Sequence, residues 1–189
     1  MFARTERLLL RPGWMQDAPA LFRAIADEGV IRNLASAPWP YTLGDAEAFL
    51  ATERDAHDAT ALIFRRTKGA PQLVGTIGIG TRPDGTRELG YFIARPFWGR
   101  GYATEAGRAV LAFARDSLRL PKLDAGHFLD NPASGRVLEK LGFRATGKVA
   151  QRYSAGRREA APCRLFELDL AEPEVRAPVR DCLEVMAAA

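Results

Sequence analysis

The chain has 189 residues, 47% of them hydrophobic and 26% charged, which is enough apolar material for one sizeable core in an ordinary globular composition. No run approaches the roughly 18 apolar residues of a membrane span, and the start, MFARTERLLLRP, carries an acid and too short an apolar run for a secretory signal. The two cysteines, Cys163 and Cys182, make neither a disulfide framework nor a zinc cluster, so the expectation is a reducing cytoplasm with no metal, no membrane and no DNA partner.

In chain order, RLLLR (7–11) reads as a first strand. Asp17 is placed to cap a helix through APALFRAIA, with Pro19 tolerated in the first turn. A loop rich in Pro38, Trp39 and Pro40 follows. Thr42 stands three residues before Asp45 and opens a helix expected to reach about His57. ALIFRRT, QLVGTIGIGT and RELGYFIA then read as three strands of an antiparallel meander, turned at Lys68-Gly69 and Pro83-Asp84-Gly85. The glycines of GTIGIG fall inside the strand pattern, as strand positions or a bulge.

From Thr104 to Leu118 the period becomes helical, with Ala106, Val110, Phe113 and Ala114 on the sheet side. KLDAGHFL is a strand, and Asn131-Pro132 is an N-cap followed by a first-turn proline. That helix runs through VLEKL and stops at Gly142, a residue suited to the left-handed position after a helix end. FRATGKVAQRY and RLFELDL close the sheet. The order β-α-α-β-β-β-α-β-α-β-β implies a mixed, mostly antiparallel α/β sheet of six or seven strands flanked by helices. One domain over residues 1–172 and a helical tail over 173–189 are expected.

The most informative stretch is RPFWGRGYATEA (95–106), where two glycines bracket an arginine between a strand and a helix. A helix N-terminus offers unpaired N–H groups and the positive end of the dipole, which together suit a phosphate. Gly99 and Gly101 leave those amides uncovered, Arg100 adds charge and Thr104 a hydroxyl. Neither G-x-x-x-x-G-K-[ST] nor G-x-G-x-x-G is present. A tight strand-to-helix turn without a ligand is the alternative reading.

ELGYFIARPFWGRGYATEA followed by NPASGRVLEKLGF closely resembles the GNAT acyltransferases, in particular their RimJ/RimL-like branch. TERLLLRP and PYTLGDAEAFL extend the resemblance to about residues 4–170. The family's Q/R-x-x-G-x-G/A motif maps to Trp98-Gly99-Arg100-Gly101-Tyr102-Ala103, with Trp98 in place of the usual Gln or Arg. The resemblance implies acetyl-CoA where the strand around Phe92 splays from the strand around Ala125. Its pantetheine would meet backbone groups near Phe92, Ile93 and Ala94, and its pyrophosphate the amides from Arg100 to Thr104. Asn131 would cap its helix and also contact pantetheine. The partners implied are acetyl-CoA and a primary amine, at a protein N-terminus or on a small molecule, with the enzyme a monomer or homodimer.

Acyl transfer needs a neutral amine and a proton for the departing thiolate. Glu88, two residues before Gly90, is the candidate general base, the alternative being a cross-sheet pair with an arginine. Ser134 shares the inward stripe of its helix with Val137, Leu138 and Leu141, so its hydroxyl needs a polar partner. The resemblance places the matching serine near the CoA sulfur, whereas a purely structural role would have it satisfied by Asn131. RimL-like enzymes can use an acid after the G-F pair; the counted equivalent here is Tyr153, which is taken as a third catalytic candidate. His127 falls inside a strand and reads as a satisfied histidine. An α-amino group, with a pKa of about 7.7–8.0 against about 10.4 for lysine, needs little help from a base, which favours a peptide N-terminus slightly. Five basic residues and no acid between Gly142 and Arg158 leave a non-catalytic CoA-binding or RNA-associated module as the alternative.

Overall fold

A computed structural model describes residues 1–53 and 58–171. Eight strands form one sheet in the order β1-β2-β3-β4-β5-β6-β8-β7. They are β1 (Ala3–Arg4), β2 (Leu8–Arg11), β3 (Ala59–Arg65), β4 (Gln72–Thr81), β5 (Arg87–Ile93), β6 (Lys122–Phe128), β7 (Arg144–Ser154) and β8 (Glu159–Asp169). Every pairing is antiparallel except β5–β6, which is parallel. The strand beyond the expected seven is β1, two residues paired to β2 through Ala3↔Leu10 and Arg4↔Leu9.

Among the described residues five helices cover the sheet: α1 (Ala18–Ile25), α2 (Glu28–Ile31), α3 (Leu43–Ala51), α4 (Tyr102–Asp116) and α5 (Pro132–Lys140). Among the described residues no helix is long and apolar enough to cross a membrane. One apolar cluster lies between the sheet and α4–α5, and contains Leu8, Ile63, Ile77, Leu89, Val110, Leu123 and Leu138. A second lies under α1–α3, with Leu21, Ile31, Leu62, Phe64 and Phe92. The helices on both faces explain why β3 reads as a continuous apolar run: Ala61 to Phe64 are all buried.

Local sequence accounts for most of the boundaries. Thr42 Oγ1 accepts from Asp45 N–H at 3.2 Å while Asp45 Oδ2 accepts from Thr42 N–H at 2.8 Å, the reciprocal cap the sequence predicts. Asn131 Oδ1 accepts from Ser134 N–H at 3.3 Å with Pro132 next in line, and Gly142 takes φ 91° after α5. The turns at Lys68-Gly69 and Pro83-Asp84-Gly85 join β3–β4 and β4–β5, and the register slips between Ile63 and Phe64 opposite Gly75.

Three boundaries differ. Asp17 closes a 3-10 turn over Met15–Asp17 and gives α1 no side-chain cap. Its carboxylate accepts from Trp14 N–H at 2.8 Å and from the Arg11 guanidinium at 2.7 and 2.8 Å, so the charge pair outcompetes the cap. Helix α3 stops at Ala51, six residues short of His57, because Thr52 turns extended at ψ 118° and its hydroxyl donates back to Ala48 O. Helix α4 begins two residues before Thr104, at Tyr102, and ends at Asp116. Residues 54–57, Cys182 and the tail over 173–189 lie outside the described residues.

Candidate active site

The site is built where one parallel pairing fails. Strands β5 and β6 are in register only at Glu88↔Asp124 and Leu89↔Ala125. Beyond that, β5 stays with β4 as far as Ile93, and β6 stays with β8 as far as Phe128. The two strands therefore part, and a gap opens from Gly90 onward. Ala94 N–H donates to Val74 O at 2.8 Å, so the main-chain groups of Phe92 and Ala94 face β4. By the alternation of an antiparallel ladder, those of Tyr91 and Ile93 face the gap. The Trp98 indole donates to Ile93 O at 2.6 Å. What remains open along the gap is Tyr91 N–H and C=O and Ile93 N–H, so of the Phe92–Ile93–Ala94 stretch singled out in sequence only Ile93 faces it, joined by Tyr91. The Phe92 side chain is buried in the cluster under α1–α3.

At the end of β5 the chain makes a 3-10 turn over Arg95–Phe97 and enters α4 through Gly99 and Gly101, at φ 72° and 77°. No other protein atom lies within 4 Å of where a Gly99 Cβ would stand, and only Arg7 Nη2, at 3.6 Å, approaches that of Gly101. Both glycines are thus required by left-handed backbone, with open space beyond them. Gly101 is the N-cap and offers no side chain, and the first helical bond is Glu105 N–H to Gly101 O at 3.0 Å. The amides of Tyr102, Ala103 and Thr104 consequently have no acceptor in the chain, and the positive end of a fifteen-residue helix points outward. The Tyr102 and Ala103 side chains are buried and anchor this turn, while Arg100 is exposed with its guanidinium 5.5 Å from the Phe97 ring centre.

Helix α5 presents its own N-terminus at the far edge of the gap. It is drawn close to α4 at Gly107, where a Cβ would meet Leu141 Cδ1 at 2.5 Å. Ser134 lies in the first turn of α5, and its Oγ is 2.8 Å from the hydroxyl of Tyr91. That hydroxyl is also 3.1 Å from Ser134 O. A phenol has one proton, so two arrangements exist. When Tyr91 donates to Ser134 O, the serine donates to Tyr91. When Tyr91 donates to Oγ, the serine proton is free to go elsewhere. Burial pushes the Tyr91 hydroxyl up to about 12, with the Ser134 bond acting the other way, so it remains a neutral donor at physiological pH. Sequence reading missed Tyr91. The available signal was a lone hydroxyl in the Leu89–Tyr91–Ile93 stripe, which otherwise faces the core.

Glu88 projects from the opposite face of β5, since Glu88 and Tyr91 fall on alternate sides of the pleat. Arg152 bonds its Oε1, and Arg82 Nη1 lies 3.3 Å from its Oε2. The cross-sheet arginine pairing weighed in sequence is therefore present, and any base function requires the carboxylate to release one guanidinium. Arg152 reaches Glu88 across Gly126, where a Cβ would stand 3.2 Å from Arg152 Nη1 and 2.8 Å from Cys163 Sγ. Burial raises the Cys163 thiol, with Arg152 opposing, which keeps the sulfur protonated and a poor nucleophile.

Tyr153 stands apart. It is 61% exposed on the edge strand β7, on the side away from Arg152, and no contact joins it to Glu88 or Ser134. His127 packs beside Gly135 and the Phe166 ring, its Nδ1 2.8 Å from Phe128 O, as a satisfied strand histidine does. Trp98 is half-exposed, and its ring edge comes 3.9 Å from the Cβ position of Gly29 in α2. Asn131 serves as the α5 cap.

A family model described as an acetyltransferase (GNAT) domain matches residues 7–144. The Bacillus subtilis N-acetyltransferase YoaA, described as uncharacterized, is 32% identical over 154 residues, 78% of this chain and 85% of that protein. The crystal structure of a GNAT-family acetyltransferase from Bacillus anthracis superposes with a TM-score of 0.77 at 25% identity, covering 91% of this chain and all of that one. The microcin C7 self-immunity acetyltransferase MccE, solved in complex with acetyl-CoA and AMP, shares the fold with a TM-score of 0.72 at 17% identity, over 87% of this chain and 93% of that one. The splayed parallel pair, the uncapped α4 and these likenesses agree: the chain belongs to the GNAT family of acetyltransferases.

Proposed function

We propose that this acetyltransferase moves the acetyl group of acetyl-CoA directly onto a primary amine, with a peptide or protein N-terminus as the acceptor. The observation that carries the donor site is the uncapped start of α4 behind two left-handed glycines, beside an unpaired stretch of β5. The donor supplies an acetyl thioester. The amides of Arg100 to Thr104 hold its pyrophosphate, and Ile93 N–H and the Tyr91 main chain hold its amide-bearing arm in the gap, beside Asn131 and Trp98.

The side chains divide the work between the two faces of β5. From the α5 face, the Ser134 hydroxyl, freed when Tyr91 donates to Oγ, hydrogen-bonds the sulfur and stabilises the thiolate that leaves as the C–S bond breaks, the thiolate then taking a proton from water. From the other face, Glu88 takes the proton lost by the amine nitrogen as its bond to the acetyl carbon forms, directly or through water, after one guanidinium swings aside. Both events belong to one complex holding donor and acceptor together, and the protonated Cys163 supports a reaction without an acetyl-cysteine intermediate. A weakly available base suits an α-amino group, already partly neutral near pH 8. A cytoplasmic place of action goes with this reading.

The basic stretch that would suit an RNA-associated module is largely committed inside the protein. Arg152 is on Glu88, Arg157 bonds Asp130 at 2.8 Å through two nitrogens, and Arg158 donates to Trp39 O at 3.0 Å. The test is free-thiol release from acetyl-CoA with a panel of amines: short peptides with free or blocked N-termini, lysine side chains and small amines. Turnover that needs a free peptide N-terminus supports the proposal. Turnover only with small amines removes the acceptor assignment, and CoA binding without turnover on any amine favours a non-catalytic module.

A further inference from the structure

The start of α4 sits between two openings. On its β6 side is the gap. On its β2–β3 side is an open cleft of about 560 Å³, lined by Glu6, Arg7, Arg65, Arg66, Thr67, Lys68 and Tyr102. Four of these seven residues are cationic and one, Glu6, is acidic, and the neutralisation of the cations is uneven. Arg7 is matched by Glu105 at 2.6 Å. Arg65 donates only to the neutral Gln72 Oε1 at 2.9 Å, lies 5.7 Å from the Phe97 ring centre, and buries its Nε without an acceptor. Arg66 donates to the carbonyls of Thr5 and Glu6 at 3.2 and 2.9 Å. Lys68 is exposed, and among the described residues no carboxylate pairs with Arg65, Arg66 or Lys68. Three uncompensated cations thus converge on a cleft whose wall, Tyr102, is the first residue of the helix expected to hold a pyrophosphate.

We infer that this cleft takes the 3′-phosphate of the donor's adenosine, making the enzyme selective for free coenzyme A thioesters over donors that lack that phosphate. The inference rests on the donor-site reading above. A chain entering the gap with its thioester end and crossing the α4 amides with its pyrophosphate leads onward into this cleft. The next charged group along that chain is the ribose phosphate, about one sugar away. A doubly charged phosphate forms charge-assisted bonds with the guanidinium of Arg65 and with Lys68. A phosphopantetheine arm borne on a carrier protein has no such group, so the cleft gives the enzyme a means of telling the two donors apart.

The test is calorimetric binding of CoA and of 3′-dephospho-CoA to the full-length protein, alongside the Lys68→Glu and Arg65→Gln variants. Arg66 is left in place because it pins the backbone of residues 5 and 6. The wild type is expected to bind CoA at least about tenfold more tightly, the scale of a charged hydrogen bond. Each substitution is expected to shrink that ratio while leaving the affinity for 3′-dephospho-CoA within about twofold. Equal binding of the two ligands by the wild type overturns the inference and leaves the donor site standing. A preference for CoA that survives both substitutions also overturns it, because the phosphate is then held elsewhere. Binding of neither ligand overturns the donor-site reading itself.

Discussion

Replacing Gly101 by alanine separates backbone strain from ligand binding at the α4 start. Gly101 sits at φ 77° and ψ 6°, and its Cβ position is 3.6 Å from the flexible end of Arg7. That is an ordinary contact, so no steric clash is introduced and the cost is that of a left-handed non-glycine residue. This cost is roughly 1–2 kcal/mol, which for a chain of this size corresponds to a fall in Tm of about 2–8 °C. The second effect concerns the ligand. At a hundredfold excess over Kd, CoA stabilises the wild type by about 2.7 kcal/mol, or roughly 5–11 °C. In Gly101→Ala the turn relaxes out of the left-handed region and the amides of residues 102–104 no longer converge, so this increment is expected to fall by more than half. Differential scanning fluorimetry of both proteins, with and without CoA, measures the two effects together. An unchanged Tm without ligand refutes the argument from backbone geometry. A lowered Tm with a full CoA increment refutes the pyrophosphate site.

Three further outcomes follow from the same structure. Ser134→Ala is expected to lower kcat by about 10²-fold or more, the scale of losing one donor aimed at the developing charge, while changing CoA affinity less than about threefold; an unchanged kcat removes Ser134 from the chemistry. Tyr91→Phe keeps the buried ring but loses the bond to Oγ, so kcat falls less than in Ser134→Ala, and the double variant is no worse than Ser134→Ala alone. Additive losses would mean that the two hydroxyls act independently. Acid stability supplies the third. The Arg11 bond lowers Asp17 below its usual 3.8, and although burial pushes Glu105 up, hydrogen bonds from Thr5 and Arg7 bring it below its usual 4.5. Lowered carboxylates contribute stability that is full above their unfolded pKa values and is lost as pH falls through the folded ones. Tm is therefore expected to be flat above about pH 5 and to drop below about pH 4.5. Glu105→Gln should flatten that drop, and an unaltered acid limb would show that the Glu105 cluster carries none of it.

The elements that could be read from the sequence are those whose signals are local. Thr42–Asp45, Asn131-Pro132 and the Gly142 stop declare themselves within four residues, and the two glycines around Arg100 mark a helix start whose amides are left bare. Signals that depend on a distant partner are ambiguous or silent in the sequence. Asp17 looks like a cap in isolation, but Arg11 is on the neighbouring strand and forms a two-point ion pair with it. Glu88 reads equally as a base or as the partner of a cross-sheet arginine, and which arginine reaches it is set by Arg152, 64 residues away, folding across Gly126. Ser134 needs a polar partner by its place on the inward stripe, and that partner, Tyr91, is set by the divergence of β5 from β6. Tyr153 is reached in the sequence by a count from the Gly142-Phe143 pair. A count along an edge strand does not specify which face a side chain takes, because a single residue of register reverses it.

The account turns on where the donor's phosphates lie, and backbone amide shifts report that directly. In a titration of isotope-labelled protein with CoA, the largest amide perturbations are expected at residues 100–104 and at Ile93. Saturating binding that leaves those amides unmoved and perturbs others instead would contradict it.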